Sequence, residues 1–322
     1  MRDGERSNGE RSDDPRSVGR RSADAEPRAD APPAQGCRAV VVCHHPDPAL
    51  LQSVLDAVAP QVARVLVVAN DGHAPPGPLP AGAEVVVPPR NLGLGAAYNL
   101  ALRWAAEHDA THLLLLDQDS VPAPGMVAFL RAAFDGTPGE KVAAAGPLWR
   151  DRTSGRDGHF VQLGRIGVRR CRPPPGSVVP VDFLLSSGTL VGLAAAARIG
   201  DFDERLFIDH VDTEWCLRAR AAGWTLRGVA DARLAHALGC GPFPGPFGTL
   251  APRIAHYPPE RTYHLVRNSV ALWRRPGVGW AWRIADMRRT AAMVALHLLF
   301  APQRVRRLAL TARAVRDSRR LS

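Results

Sequence analysis

Two aspartates behind an apolar run are the first residues of this sequence that could do chemistry. Asp117 and Asp119 follow the four leucines at 113–116, a run that predicts a strand buried on both faces. Residues two apart in an extended segment point the same way, so both carboxylates can face one small volume. Paired hard oxygen donors suit Mg²⁺ or Mn²⁺ carrying a diphosphate. A solvated acidic turn that caps the next helix is an equally good alternative, because short acidic motifs are common.

A second acidic centre stands at the start of a predicted helix. Asp212 and Glu214 open this helix, and Gly223 closes it. The positive end of a helix favours ionised carboxylates, and a general base must be ionised before it can accept a proton. Glu214 has Arg218 one turn later as a partner, whereas Asp212 has no partner nearby in sequence, so Asp212 is the candidate base. Helix capping without any chemistry explains the same residues.

The elements that must position these side chains are predicted strands and helices in alternation. Strands are predicted at 39–43, 65–68, 84–87, 113–116, 142–148 and 228–234, and helices at 49–59, from an opening at 90–95 through 108, and at 212–222. Their order predicts an α/β fold with a mostly parallel sheet and helices on both faces, whose carboxyl edge binds ligands. The segment 151–180, rich in Gly, Arg and Pro, is predicted to form a flexible loop over that edge.

Length and composition exclude several classes of protein. The chain has 322 residues, which suits one large domain or two small ones. It contains no run of about eighteen apolar residues, so no transmembrane helix is predicted. The segment 1–36 mixes Arg with acidic residues and lacks an apolar core, so it is predicted to be disordered. The five cysteines are odd in number and show no metal-binding spacing, which favours a reducing cytoplasm over a disulfide framework.

Positive charge is concentrated at the C-terminus. Residues 251–322 hold fifteen arginines and three acidic residues, a balance of +12 that exceeds the net +10 of the whole chain. Such a tail implies an anionic partner: a membrane, a nucleic acid or an acidic glycan. Trp273, Trp280 and Trp282, interleaved with arginines, suit a membrane interface, and the segment 276–322 is predicted to be a basic amphipathic helical extension. An ordinary helical cap on the rest of the fold is the alternative, and both can hold together.

Taken together, these segments resemble the family 2 inverting glycosyltransferases of the GT-A fold, and most closely their bacterial rhamnosyltransferase branch. The resemblance covers about residues 39–275. It is carried by the order and spacing of the motifs at 91–99, 116–120 and 202–218, together with His236 and Arg267-Asn268. It implies a GT-A (Rossmann-like) catalytic domain at 37–275, between the disordered segment and the helical extension.

The resemblance also assigns roles to individual residues. Asp119 and Asp117 would be the Asp-x-Asp motif that ligates the divalent cation, Mn²⁺ or Mg²⁺, and His236 would be the third protein ligand, although a lone histidine is more often structural. Asp212 would be the general base, and Glu214 would help to position the acceptor. The nucleotide would be bound by Cys43, His44, Asn70, Asp71, Asn91, Gly93, Asn99, Asp117 and Gln118.

The implied function is metal-dependent, inverting transfer of a sugar from a nucleotide sugar. The best donor is dTDP-L-rhamnose and the acceptor a lipid-linked or cell-surface glycan of a bacterial polysaccharide; UDP-galactofuranose or another nucleotide sugar is the alternative donor. A nucleotidyltransferase or phosphohydrolase would need a Gly-rich loop with Lys or Arg at the first strand, or a denser carboxylate cluster. A nucleic-acid-binding protein would bind without turnover, and no nucleic-acid partner is expected. The implied location is cytoplasmic, peripheral at the inner face of the cell membrane.

Overall fold

The structure is a computed structural model, and it describes residues 19–20, 33–135, 139–152, 155–164, 167–236 and 257–321. Most of the segment 1–36 lies outside these residues, as does Cys240. Within them, a ten-stranded sheet forms the centre of the molecule, and helices pack on both of its faces. The α/β fold class expected from the sequence is confirmed.

The strands are β1 (Gly19–Arg20), β2 (Ala34–Cys43), β3 (Val62–Ala69), β4 (Glu84–Val86), β5 (His112–Asp117), β6 (Val121–Pro122), β7 (Val142–Asp151), β8 (Phe160–Leu163), β9 (Val168–Cys171), β10 (Ser177–Val181), β11 (Leu190–Gly192) and β12 (Thr225–His236). The helices are α1 (Pro48–Val58), α2 (Leu94–Glu107), α3 (Met126–Ala132), α4 (Leu193–Ile199), α5 (Val211–Ala221), α6 (Pro259–Arg274), α7 (Trp280–Phe300) and α8 (Arg304–Asp317).

The central sheet is parallel in one half and mixed in the other. Its order is β1-β10-β12-β7-β11-β5-β2-β3-β4, with β6 paired to the end of β12. The strands β5, β2, β3 and β4 are parallel to one another, as the sequence predicts. In contrast, β11 runs antiparallel to both of its neighbours, β5 and β7. A short connection of eight residues separates β10 from β11, whereas the parallel strands β3, β4 and β5 each follow a longer crossover.

The leucine strand β5 anchors the core on both sides of the sheet. Leu113 and Leu115 pack in the hydrophobic cluster on one face, and Leu114 and Leu116 in the cluster on the other. All four side chains are at most 1% exposed, because alternate residues of a strand point to opposite faces. This burial holds Asp117, the last residue of the strand, in place at the carboxyl edge.

Aromatic rings join α2 and α5, the two helices whose first turns lie at that edge. The ring of Phe202 lies 5.4 Å from the ring of Tyr98 on α2 and 5.4 Å from the ring of Trp215 on α5. Tyr98 is fully buried and Trp215 is 2% exposed. Because aromatic pairs of this kind add to the burial of apolar area, the two helices keep a common position relative to the sheet.

The segment 151–180 differs from its prediction as a flexible loop. It contains β8, β9 and β10; β8 and β9 form a two-stranded sheet, and β10 pairs with β12 of the central sheet. The side chains of Phe160, Val179 and Val181 are buried in the core. The loop prediction is therefore wrong for these strands, because a few alternating apolar residues outweigh the Gly- and Pro-rich composition around them.

The C-terminal helices α6, α7 and α8 pack on the rest of the fold. Trp282 of α7 is 3% exposed and contacts Leu217 of α5 and Leu272 of α6. Trp273 is also engaged, since its Nε1 donates to Asp286 at 3.0 Å. The extension thus forms the helical cap that the sequence left open as an alternative. None of the helices within the described residues is long and apolar enough to cross a membrane.

Candidate active site

Three side chains with oxygen or nitrogen donors meet at the carboxyl edge of the sheet. One ligand atom from each of Asp117, Asp119 and His236 lies within 4.8 Å of the other two. The Nδ1 atom of His236 lies 3.3 Å from Oδ1 of Asp119. Two carboxylates and an imidazole are a donor set that fits a divalent cation of the Mn²⁺ or Mg²⁺ type. The structure therefore brings together the three residues predicted as metal ligands.

The pairing of β6 with β12 explains why His236 reaches the acidic turn. β6 follows Ser120 directly and runs antiparallel to the last residues of β12. This register puts His236 beside the turn, where Ser120 Oγ lies 2.8 Å from its Nδ1. Burial alone lowers the pKa of His236, but its hydrogen bond to Asp119 and the charge of Asp117 raise that pKa overall.

Asp117 is held by hydroxyl groups on two sides. The Oγ of Ser187 donates a hydrogen bond to its Oδ2, and the hydroxyl of Tyr98 donates to its Oδ1 at 3.4 Å. Burial raises the pKa of Asp117, although these hydrogen bonds and the charge of His236 oppose the shift. A bound cation would favour the ionised form of this carboxylate.

Asp212 lies in the first turn of α5, apart from the metal ligands. Its Oδ2 accepts the backbone N–H of Ser186 at 3.0 Å, and its Oδ1 accepts the backbone N–H of Thr213 at 2.6 Å. Burial raises the pKa of Asp212, although these two hydrogen bonds and the charge of His210 oppose the shift. A carboxylate whose pKa is raised toward the working pH is a better general base than one at its ordinary value.

Two adjacent serines connect the metal ligands with the candidate base. Ser187 donates to Asp117 through its hydroxyl, and Ser186 donates to Asp212 through its backbone. Consecutive Cα atoms are about 3.8 Å apart, so both acidic centres belong to one site. Gly188 follows at a φ of 82°, and a Cβ on it would lie 2.7 Å from Pro147. The segment 186–188 thus links the two acidic centres.

Glu214 lies on α5 with its carboxylate turned into the fold. Its Oε1 accepts from Nε of Arg218 and from Arg275, each at 2.9 Å, and its Oε2 accepts from Arg218 at 2.9 Å. Its side chain is 7% exposed. These contacts indicate that Glu214 ties α5 to the end of α6, and its predicted contact with an acceptor stays a prediction.

The predicted nucleotide-binding residues at the ends of β2, β3 and β5 lie at one edge. The backbone N–H of His44 donates to Oε1 of Gln118 at 2.6 Å, and the backbone N–H of His45 donates to Asp71 at 2.8 Å. Burial acts to raise the pKa of Asp71, but hydrogen bonds from the backbone of His45 and His73 lower it overall. Polar groups thus line the carboxyl edge of the sheet on the β2–β3 side of the metal ligands.

Cys43, at the end of β2, faces the apolar core. Its thiol is 1% exposed and lies 3.6 Å from the carbonyl of Val68. Burial raises the pKa of this thiol to about 12. Its side chain is therefore a neutral packing group, and any contact with a nucleotide would have to come from its backbone.

Three other predicted nucleotide-binding positions shape the loop before α2. The side chain of Asn70 is buried; it accepts the N–H of Leu92 at 2.8 Å and donates to the carbonyl of Gly93 at 3.3 Å. Asn91 accepts the N–H of Gly93 at 2.9 Å. A Cβ on Gly93 would lie 2.6 Å from the ring of Phe207, so only glycine fits there.

Asn99 is fixed deeper in α2. Its side chain donates to the carbonyl of Phe202 and to Glu204, each at 2.9 Å, and accepts the N–H of Phe202 at 2.8 Å. It is 1% exposed. Asn70, Asn91 and Asn99 thus support the loops around the site through backbone contacts, and their predicted contacts with a nucleotide stay predictions.

Sequence reasoning missed two residues that the structure places at the site. Tyr98 of α2 packs in the hydrophobic core, yet its hydroxyl reaches Asp117. Ser120 follows the acidic pair and orients His236. A hydroxyl on an otherwise apolar helix face, and a hydroxyl directly after two carboxylates, are the signals that could have pointed to them.

Comparison with known proteins identifies the fold and a relative. No family model matches the chain. In sequence, it is 30% identical over 194 residues to the dTDP-rhamnosyl transferase RfbF of Shigella flexneri, a match that covers 58% of this chain and 61% of that relative. In structure, it resembles S. aureus TarS in complex with UDP-GlcNAc, with a TM-score of 0.52 and 14% identity over 88% of this chain and 80% of that one.

The chain has the GT-A glycosyltransferase fold, and its sequence match spans about 61% of the length of the dTDP-rhamnosyl transferase. A second structure of the same kind is GalNAc-T7 with UDP, GalNAc and Mn²⁺, at a TM-score of 0.51 and 13% identity over 83% of this chain and 58% of that one. At such identities, the solved structures establish the fold of this chain and nothing finer.

Proposed function

We propose that this protein is a metal-dependent inverting glycosyltransferase. One observation carries the proposal: the adjacent Ser186 and Ser187 join a metal-ligand set to a separate carboxylate at the N-terminus of a helix. Displacement of a nucleoside diphosphate by a hydroxyl needs both parts, because the leaving group needs counter-charge and the hydroxyl needs a base.

Each acidic centre has its own task in this reaction. Asp117, Asp119 and His236 would hold Mn²⁺ or Mg²⁺, which when bound supplies positive charge to the leaving diphosphate. Asp212 takes the proton of the acceptor hydroxyl. The oxygen of that hydroxyl bonds to the anomeric carbon as the bond from this carbon to the diphosphate breaks. A single displacement with one base inverts the anomeric centre and needs no covalent nucleophile.

The donor we favour is dTDP-L-rhamnose, and the acceptor a lipid-linked or cell-surface glycan. The sequence relative is a dTDP-rhamnosyl transferase, which supports this sugar and nucleotide. The two structural neighbours contain UDP or UDP-GlcNAc, so a UDP sugar, including UDP-galactofuranose, is the alternative within the same class.

The test is a donor panel with an assay for released nucleotide. The protein is incubated with Mn²⁺, a glycan acceptor and dTDP-L-rhamnose, UDP-galactofuranose or UDP-GlcNAc, and free nucleoside diphosphate and glycosylated product are measured. We expect acceptor-dependent release of dTDP from dTDP-L-rhamnose, which a chelator abolishes. Release of pyrophosphate would indicate a nucleotidyltransferase, and binding without release from any donor would contradict the proposal.

We also propose that the protein binds the inner face of the cell membrane peripherally, through the outer face of α8. This face, defined by Val305, Leu308, Ala312 and Val315, repeats at helical spacing and is exposed. Val305 is 84% exposed, Leu308 58% and Val315 42%. Another face of α8 packs on the fold and is buried at Arg307 and Ala314. Exposed arginines flank the apolar stripe, which suits a helix lying in the interface of an anionic bilayer.

The double substitution Val305→Ser, Leu308→Ser should reduce sedimentation with phosphatidylglycerol vesicles by about tenfold, because both side chains lose apolar area that enters the bilayer. Turnover on a water-soluble acceptor should not change. Leu79→Ser, at a loop residue that is 38% exposed, is the matched control and should sediment like the wild type. Wild-type sedimentation of the double variant would contradict the assignment of this face.

Point substitutions are needed here because a deletion could lower membrane binding simply by unfolding the protein. Truncation at Trp282 would remove a side chain that packs between α5 and α6. Of the three tryptophans that suggested a membrane interface, Trp280 alone is largely exposed, at 71%. The outer face of α8 is therefore a better candidate surface than the tryptophan-rich start of α7.

A further inference from the structure

The loop that leads into α5 has a strained backbone. Phe207, Asp209 and His210 have φ angles of 65°, 62° and 64°, a region that residues other than glycine rarely occupy. The N–H of Ile208 donates to the carbonyl of Leu206 at 2.8 Å, which makes Phe207 the centre of a γ-turn of the rare positive-φ kind. A strained backbone conformation of this kind persists only where contacts with the surrounding structure hold it in place.

Asn268 of α6 is the main restraint on this loop. Its side-chain NH₂ donates to the carbonyls of Leu206, Ile208 and Asp209 at 2.9, 2.8 and 2.8 Å. Its Oδ1 accepts from Nε of Arg267 at 3.0 Å, and Asn268 is fully buried. A single carboxamide thus gathers three carbonyls that would otherwise point apart.

Neighbouring residues of α6 and α7 extend the same restraint. Arg267 donates to the carbonyls of Arg205 and Leu206, each at 2.9 Å. Ser269 Oγ lies 2.9 Å from Nε2 of His210, the residue before α5. Arg289 of α7 donates to the same nitrogen at 3.2 Å. The C-terminal helices therefore reach the loop from several directions.

The 206–210 loop leads directly to Asp212, the proposed base, and also contacts the start of α2. The carbonyl of His210 accepts the N–H of Glu214 at 2.9 Å and so begins α5, two residues before Asp212. The carbonyl of Phe207 accepts the N–H of Leu94 at 2.5 Å, at the start of α2. The conformation of the 206–210 loop thus sets where the Asp212 carboxylate lies relative to Ser186 and Ser187 and to the loop before α2.

We propose that Asn268 is a positioning residue: by holding the 206–210 loop in its strained form, it aims the carboxylate of Asp212 at the acceptor. This inference rests on the proposed function for the role of Asp212, but the restraint on the loop does not. The C-terminal helices would then position the base through this loop, in addition to capping the fold.

The test compares Asn268→Asp with the matched control Thr262→Val. Asp keeps the shape of Asn but replaces the donating NH₂ with an oxygen that faces three carbonyls. Thr262 is also buried on α6, at 2%, but its hydroxyl bonds Pro258 and Arg307 instead of the loop. Melting temperature, turnover, donor KM and hydrogen–deuterium exchange of the 205–214 peptide are measured for each.

We expect Asn268→Asp to lower kcat by about 10²-fold, as for a catalytic group displaced by about 1 Å, with donor KM within about threefold of the wild type. The 205–214 peptide should exchange faster. Thr262→Val should lower the melting temperature while its kcat and its exchange in this peptide stay at wild-type levels. Wild-type kcat in Asn268→Asp, or an equal loss of kcat in Thr262→Val, would overturn the proposal.

If Asn268→Asp does not fold, the substitution Arg267→Lys tests the same proposal. A lysine cannot maintain both the contacts with the loop carbonyls and the two bonds to Asn268. It should show a smaller loss of kcat in the same direction and faster exchange, and wild-type values of both would overturn the proposal. If the wild type transfers no sugar from any donor, the proposed function fails; the exchange data then still show whether Asn268 holds the loop.

Discussion

Replacing Asp212 with asparagine should lower turnover by about 10²–10⁴-fold, the usual contribution of a general base, while the protein still folds and binds donor nucleotide. The amide keeps the shape of the carboxylate, and its oxygen can still accept one of the backbone N–H groups of Ser186 and Thr213. It cannot take the proton of an acceptor hydroxyl. Turnover at saturating donor, together with the dissociation constant of dTDP with Mn²⁺, checks both parts of this expectation.

Burial of Asp212 also determines how pH acts on the wild type and on the variant. Because burial raises the pKa of Asp212 and the base acts in its ionised form, turnover should fall as the pH drops through that raised pKa. The unfolded chain releases this proton more readily, so the ionised group lowers the free energy of unfolding above the raised pKa. Asp212→Asn should therefore melt no lower than the wild type at neutral pH.

Two neighbouring carboxylates are the controls for this substitution. Asp209 pairs with Arg261 at 3.1 Å, so Asp209→Asn should mainly lower the melting temperature. Glu214→Gln weakens the ion pairs with Arg218 and Arg275 and should do the same. If Asp212→Asn turns over at nearly the wild-type rate while one of these two is inactive, the base is that residue instead.

The parts of the fold that could be predicted depend on patterns within a few residues. The leucine run marks β5 because each of its side chains meets a core on one face of the sheet or the other. The acidic pair after it lies at the carboxyl edge because a strand ends where its apolar run ends. The position of Asp212 in the first turn of a helix could be predicted in the same way, and its role as the base stays a prediction.

The parts that could not be predicted depend on residues far apart in the chain. Ser187 donates to a carboxylate 70 residues before it, and Asn268 donates to carbonyls about 60 residues before it. A serine beside a glycine, or an asparagine in an amphipathic helix, looks the same in sequence whether or not such a partner exists. Strand β10 was missed for the same reason, since it is defined by its pairing with β12, which lies more than 40 residues later in the chain.

Removal of Asp119 should abolish metal-dependent nucleotide binding. Asp119 lies on the turn between β5 and β6, with a side chain that is 27% exposed, so Asp119→Ala removes a ligand and a charge without opening the core. In the wild type, dTDP at a hundredfold its dissociation constant with Mn²⁺ should add about 2.7 kcal/mol to the free energy of unfolding. Thermal unfolding with and without Mn²⁺ should show that this gain is lost in the variant.

The control for Asp119→Ala removes the same charge elsewhere on the surface. Asp135 is 66% exposed and pairs with Arg131 one turn before it, so Asp135→Ala should keep the full gain from dTDP and Mn²⁺. His236→Ala should weaken metal binding less than Asp119→Ala, because water or diphosphate oxygens can replace a neutral ligand more easily than a charged one. Undiminished Mn²⁺-dependent binding of dTDP by Asp119→Ala would exclude the acidic turn as the metal site, and the charge on the leaving group would then have to be met by other residues.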